Sequence, residues 1–473
     1  MRDDAPSSGS LVRGLGLVAA TSVNIANTIG TGVFLKTRVM TCNVESPITV
    51  MAVWIFSGLL ALAGALTYAE VAAMMPRAGG EYVILRNAYG RTAGYIYGWT
   101  IFAVVKTASQ AALAIAGAIF LNILLGGALD GSWFGFKVLG HTFSFGWLQV
   151  TALAAIWTAT LINFAAVRVS GGAASVLMFV KAGLIVAVGV GAFLLAKGSW
   201  AHFGMLNQGG TCEGVAASAR GGLAGFGAAM LGALWAYDGW NNLTPLSGEV
   251  RNPQRNIPLA FILGMFVVGA LYVSVNFAYF YVLTPTEIAS VSMASSVATE
   301  VAKKFVGPAA VGLIAIGMFT SSYGALYTSV MANARVPFAM SQDGVFLPAL
   351  AKVSPHTHVP VNALIAQAVW ASVLALSGSY DTLTDALIFA AWILYGMTTA
   401  SVFVFRRRMP DAPRSYRTWG YPVVPALFLL VTAWLLINTL WTNPVQNIVG
   451  LLVIALGLPI FWYYRAKLRP EDR

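Results

Sequence analysis

The sequence predicts an all-α integral membrane protein of twelve transmembrane helices. Three observations lead there. Hydrophobic residues make up 58% of the 473 positions and charged residues only 10%, against about 25% charged in soluble domains. A soluble protein of that balance has too little polar surface to cover itself. Second, apolar segments long enough to cross a bilayer recur at 14–40, 48–75, 93–125, 146–166, 171–196, 221–247, 257–283, 306–338, 361–378, 381–405, 421–441 and 445–464, each near the ~20 residues a span needs. Third, the first and sixth segments are both interrupted by glycine and polar residues. Broken helices at matching positions of two five-helix halves point to a transporter binding site.

In chain order, residues 1–13 are a short polar tail, expected to be cytoplasmic. The first apolar segment is span-length and lacks a clear small-residue cleavage site, so it reads as a retained helix rather than a signal peptide. Residues 14–196 hold the first five segments and 221–405 the next five, in inverted orientation. Residues 421–464 add two more, and 465–473 form a second cytoplasmic tail. With the N-terminus inside, nineteen Lys and Arg fall on the cytoplasmic face and seven on the outer face, while Lys106 and Lys181 lie within spans. That bias follows the positive-inside rule. It explains the +11 net charge without a nucleic-acid partner, and it explains the run "FRRRMPDAPRSYR" (405–417) as a topology anchor. The expected location is the plasma or inner membrane, multi-pass, with the lipid bilayer as surroundings.

Cys42 and Cys212 are the only cysteines. They exclude a disulfide framework or a cysteine metal cluster, and both fall in outer connections. One bridge across an oxidising face and two separate free thiols are both open readings. The four histidines, His141, His202, His356 and His358, sit in connections and make no metal set. No intramembrane carboxylate pair or nucleophile elbow appears, so an enzyme is not expected, nor is a cofactor or a metal site.

"NTIGTGVF" (27–34) and "LWAYDGWNN" (234–242) mark the two breaks. Unwound backbone cannot face lipid, because each unpaired N–H or C=O costs several kcal/mol there. It must line a cavity. The half-helix starting near Thr31 offers free N–H groups, which suit a carboxylate. The half-helices ending near Thr28 and near Trp235 and Ala236 offer free C=O groups, which suit an ammonium. A zwitterion with both groups on one carbon matches those ends. Gly30 and Gly32 are expected to let it approach the backbone closely. Thr21, Asn24, Asn27 or Thr28, and Thr31 recur at helical spacing as one polar stripe, which turns toward a wet cavity or bonds a neighbouring helix.

"WAYDGWNNLTPLSGEVRNPQRNIPLA" (235–260) resembles the sixth helix and following loop of the amino acid–polyamine–organocation superfamily. It is most similar to the L-type amino acid transporter family, the light chains of heteromeric amino acid transporters and their bacterial relatives. "TIGTGVF" (28–34) resembles that family's unwound first helix, "YAEVAAMMPRAGGEYVILRNAYG" (68–90) its second helix and first cytoplasmic loop, "ARVPFAMSQDG" (334–344) the end of its eighth helix, and "PRSYRTWGYPVVP" (413–425) its entry into helix 11. The string from Glu249 to Pro258 is specific; a Gly-x-Gly alone is weak.

The resemblance implies a LeuT-like fold of five plus five inverted helices with two more after them. It also implies sodium-independent amino acid transport, commonly exchange. A proton-coupled symporter and a non-transporting amino acid sensor are the alternatives. Carried over by position, the backbone of Ile29, Gly30, Thr31 and Gly32 holds the substrate, with the N–H groups of Thr31 and Gly32 on its carboxylate. The carbonyls of Thr28, Trp235 and Asp238 take its ammonium. Trp235 gates the site from outside, and Ala236 and Asn241 line the pocket. Lys181 stands where sodium-coupled relatives hold a cation and braces helix 1 against helices 5 and 8. Lys106 lines the pocket or braces helix 3, and is read as structural. "WAYDGWN" is similar to the branch that exchanges dibasic amino acids and cystine for neutral ones. A carboxylate at Asp238 favours a second cation on the substrate, and Asp is also a preferred N-cap for a following half-helix. Human light chains bridge a heavy subunit through a cysteine between helices 3 and 4. Residues 126–145 contain none, so no disulfide-linked heavy subunit is expected.

Overall fold

The computed structural model describes residues 11–138, 141–292, 295–377, 380–442 and 444–467. Most of the predicted N-terminal tail (1–10) and the end of the C-terminal tail (468–473) lie outside them. Each of the twelve predicted segments falls on helix. The first is split into α1 (Leu17–Thr28) and α2 (Gly32–Val44), and the second is α3 (Pro47–Met74). A short helix, α4 (Glu81–Tyr89), precedes α5 (Arg91–Thr100) and α6 (Lys106–Leu124). There follow α7 (Trp147–Ile162), α8 (Val167–Leu195), α9 (Gly222–Tyr237) and α10 (Pro253–Val282). The connection after α10 carries α11 (Pro285–Ala289) and α12 (Val297–Val306), and leads to α13 (Ala310–Asn333) and α14 (Arg335–Gln342). The chain ends with α15 (Val361–Ser377), α16 (Tyr380–Arg408), α17 (Val423–Thr442), α18 (Pro444–Ala455) and α19 (Gly457–Lys467).

Eight helical stretches among the described residues are long and apolar enough to cross a membrane. Trp147–Ile162, Gly222–Tyr237 and Val361–Leu376 are apolar but shorter. The predicted last span, 445–464, is instead two short helices. α18 has 12 residues and α19 has 11, and at 1.5 Å per residue neither alone covers a ~30 Å core. Pro459 explains the break, since it offers no N–H to the carbonyl of Ala455 and its ring crowds that carbonyl. A hairpin of β1 (Ser132–Val138) and β2 (His141–Gly146), antiparallel with Val138 opposite His141, fills the connection between the third and fourth predicted segments and was not foreseen.

α1 packs against α8, α10 and α13, while α2 packs against α9. The two halves of the broken first helix therefore rest on different partners, and the break sits deep in the bundle. At one end of the bundle the chain before α1 pairs with the chain after α9. Leu15 N–H donates to Glu249 O at 3.0 Å and Arg251 N–H to Leu15 O at 2.8 Å. Beside this bridge Arg335 donates to both carboxylate oxygens of Glu249, at 2.6 and 2.9 Å, with both side chains buried. Tyr82 and Arg86 of α4 bind Asp343 on the same face.

The basic run is more than a topology anchor. Arg406 donates to both oxygens of Glu70 at 3.0 and 2.8 Å, Arg414 lies 3.2 Å from the same carboxylate, and Arg406 stacks over Tyr421 at 3.8 Å. Glu70 is fully buried in α3, and a buried carboxylate must be paired. The run thus ties the end of α16 and the approach to α17 onto α3. Cys42 and Cys212 are joined in a disulfide, 170 residues apart in sequence, which fastens α2 to the connection before α9.

Candidate functional site

The site begins where α1 stops. Thr28 Oγ1 donates to Asn24 O at 2.9 Å, and Ile29 turns to extended backbone, φ −73° and ψ 93°. α2 starts afresh at Gly32 with Thr31 as its N-cap; the Phe34 N–H donates to Thr31 O at 3.1 Å, and the N–H groups before it lack intrahelical acceptors. The freed carbonyls of α1 are gathered by side chains from two other helices. Lys181 Nζ on α8 donates to Ala26 O and Ile29 O, both at 2.7 Å. Ser321 Oγ on α13 reaches Ile29 O at 3.2 Å and Gly30 O at 2.9 Å. A Cβ on Gly324 would stand 2.6 Å from Lys181 Cε, so the lysine lies tight between α8 and α13.

α9 supplies the facing wall. It ends at Tyr237, and Asp238 is its C-cap, with the Asp238 N–H donating to Trp235 O at 3.1 Å. No α-helix follows: turns lead into a 3₁₀ segment, Thr244–Glu249. The expectation that Asp238 caps a second half-helix is therefore corrected, and the side chain is directed to other partners. Tyr272 Oη on α10 lies 3.1 Å from Thr28 O and 3.0 Å from Ala236 O, so one hydroxyl spans both helix ends. Asn242 Nδ2 donates to Asn27 Oδ1 at 2.6 Å.

The two glycines of the first break differ in purpose. A Cβ on Gly30 would meet nothing within 4 Å, whereas one on Gly32 would stand 2.5 Å from Ala236 Cβ. Gly30 leaves open space beside the backbone. Gly32 is needed for packing of α2 on α9, a demand that the expected ligand approach did not include.

Thr28, Gly30, Thr31, Gly32, Trp235, Ala236 and Asp238 line one cavity of about 40 Å³ together with Lys106 and Asn242. That volume admits only a few waters, so an amino acid enters only if a lining side chain moves. Trp235 also borders a neighbouring 20 Å³ space against Trp392. A vestibule of about 640 Å³ leads from Thr31 and Gly32 past Lys36, Arg38 and Lys303. Those basic residues mark the face expected to be external. A separate cavity of about 390 Å³ on the opposite face, lined by Arg77, Arg86 and Asp343, shares no lining residue with the site.

Two predicted pocket residues are placed differently. Ile29 is fully buried, and its carbonyl is taken by Lys181 and Ser321. Asn241 does not border the cavity. It is buried and donates through Nδ2 to Glu81 Oε1 at 2.8 Å. Glu81 begins α4, outside the membrane-spanning stretches. Its complete burial pushes the carboxyl up to about 7, against the pull of its own backbone N–H, Asn241, the charge of Lys106, and Tyr97.

Lys106 is a site residue, not only a brace. A π-helical turn, Ile101–Val105, immediately precedes it, and such turns shift the helix face that a following residue presents. Lys106 Nζ lies 3.7 Å from Asp238 Oδ2 and 3.5 Å from Tyr395 Oη, and Tyr395 Oη donates to Asp238 Oδ1 at 2.5 Å. An intramembrane lysine was the available signal. Tyr395, Tyr272 and Ser321 gave none, because each is a common residue on an apolar helix. Among the described residues there is no group of three or more His, Cys, Asp or Glu that could hold a metal.

The family profile described as "Amino acid permease" matches residues 15–462. The chain belongs to the amino acid permease family. Among its permease relatives, the serine/threonine exchanger SteT of Bacillus subtilis (strain 168) is 30% identical over 97% of this chain and 98% of its own length. The b(0,+)-type amino acid transporter 1 of Homo sapiens is 27% identical over 98% of this chain and 90% of its own length. The large neutral amino acids transporter small subunit 2 of Homo sapiens is also 27% identical, over 98% and 85%. The permease match and the long apolar helices together make this a multi-pass membrane protein.

Proposed function

We propose that this permease is a sodium-independent exchanger of neutral and dibasic L-amino acids, working by alternating access. The observation that carries the reading is the meeting of three helix ends at one cavity. The N-terminus of α2 faces the C-termini of α1 and α9 across about 40 Å³. In that space a carboxylate binds the N–H groups of Thr31 and Gly32, and an ammonium binds carbonyls of Thr28, Trp235 and Asp238. Lys181 occupies the carbonyls of Ala26 and Ile29, so a fixed ammonium does there what a sodium ion otherwise does. Exchange is favoured by relatives such as the serine/threonine exchanger SteT.

The orientation belongs to the same proposal. The Lys and Arg bias puts both termini in the cytoplasm, and the Cys42–Cys212 disulfide lies on the face that this topology exposes to an oxidising exterior. Both cysteines of the chain are engaged with each other, which supports function without a disulfide-linked heavy subunit. The test is uptake of labelled leucine, alanine and lysine into proteoliposomes. Uptake that requires internal amino acid and is equal in sodium and choline buffers is expected. Uptake that needs no internal substrate and follows an imposed pH gradient identifies a proton symporter. Binding without uptake identifies a sensor.

A further inference from the structure

Asp238 is not a bare carboxylate waiting for a substrate cation. Its side chain is 27% exposed toward the cavity, while Lys106 is 3% exposed behind it. Tyr395 holds Oδ1 with a short hydrogen bond of 2.5 Å. Lys106 faces Oδ2 from 3.7 Å, which is ion-pair distance but too long for a hydrogen bond. The lysine therefore neutralises Asp238 without being locked to it. Its charge also acts on Glu81, the buried carboxyl that Asn241 fixes from the segment after α9. A four-carbon side chain repositions its ammonium by rotamer changes.

We propose that Lys106 is a tethered, displaceable counter-ion that lets one site accept both neutral and dibasic amino acids. This rests on the amino acid transport proposed above. When the substrate side chain is neutral, Lys106 stays on Asp238 and the carboxylate is not left unpaired in a low-dielectric pocket, which is costly. When the side chain ends in an ammonium or guanidinium, that cation takes Oδ2 and Lys106 withdraws from it, keeping Tyr395 Oη as a polar neighbour. The small cavity agrees with this, since Lys106 lines it and its withdrawal frees room for a longer side chain.

The test is proteoliposome exchange of labelled lysine and labelled leucine by the wild type, K106Q, K106M, D238N and K106M/D238N, each preloaded with alanine. The lysine-to-leucine ratio is expected to rise roughly tenfold in K106Q and K106M, the scale of one removed competing charge. The KM for leucine rises and that for lysine falls. D238N is expected to lose lysine about tenfold more than leucine, and the double variant is expected to regain leucine relative to K106M. If K106M does not fold, K106Q and D238N carry the test: the ratio must rise in K106Q and fall in D238N. An unchanged ratio in folded K106Q and K106M overturns the proposal, as does a wild type that exchanges leucine but refuses lysine. A wild type that exchanges no amino acid overturns the transport reading instead.

Discussion

Glu81 shows what one buried carboxyl does to the molecule. Its pKa, raised from 4.5 to about 7 by burial, means the folded state holds a proton that the unfolded state releases. Stability from this group is therefore complete below about pH 4.5 and is lost as pH rises to about 7, at a cost of about 3 kcal/mol by linkage. E81Q is expected to flatten that part of the stability–pH curve, read as melting temperature of the purified protein between pH 4.5 and 8. Equal slopes in E81Q and wild type would show that the carboxyl is not the titrating group. At this scale the sequence was legible where the backbone breaks, as at Gly30 and Thr31. It was opaque where a side chain's partner came from a distant helix. Nothing near Asp238 in sequence announces Tyr395, 157 residues away, and Asn241 was assigned to the pocket although Glu81 draws it aside.

The elements around the break divide its work. Gly32 brings α2 against Ala236 of α9, and Gly30 leaves space beside the exposed carbonyls. G32V is expected to lose about 1–3 kcal/mol through overpacking at that helix contact and to lose uptake with it. G30A keeps its melting temperature, since its methyl meets no atom within 4 Å, but it narrows the substrate's approach and lowers uptake. A G30A protein with wild-type KM would show that the substrate does not pass close to that backbone. Helix existence was plain from apolar length, because a spanning helix must satisfy its own backbone. Helix endings were less plain. The break after Tyr237 was read as the gap between two half-helices, yet the chain continues in turns and a 3₁₀ segment. The tertiary bonds of Asn241 and Asn242 hold those turns, and no local signal encodes them.

For the whole molecule, the arrangement is open on one face and closed on the other. The vestibule reaches Thr31 and Gly32, while the opposite face is shut by Arg335 on Glu249, by the Leu15–Val250 bridge and by Asp343 on α4. The proposed alternating access requires these contacts to part. E249Q leaves the buried Arg335 charge without its bidentate partner, a loss of about 3–5 kcal/mol. Its melting temperature is expected to fall, and the E249R/R335E exchange is expected to recover part of it. If E249Q melts as the wild type does, the pair does not secure that face. Composition and apolar segment length forecast the membrane bundle; the closing contacts were not forecast, because ion pairs between remote helices leave no periodicity to read.

The central claim, that an α-amino acid binds between the ends of α1, α2 and α9, is tested most directly by a substrate-bound structure in lipid nanodiscs. The expected density has its carboxylate within hydrogen-bond distance of the Thr31 and Gly32 N–H groups and its ammonium against the Thr28 and Trp235 carbonyls. Substrate density confined to the vestibule beside Lys36 and Lys303, with the helix ends empty at saturating substrate, would contradict it.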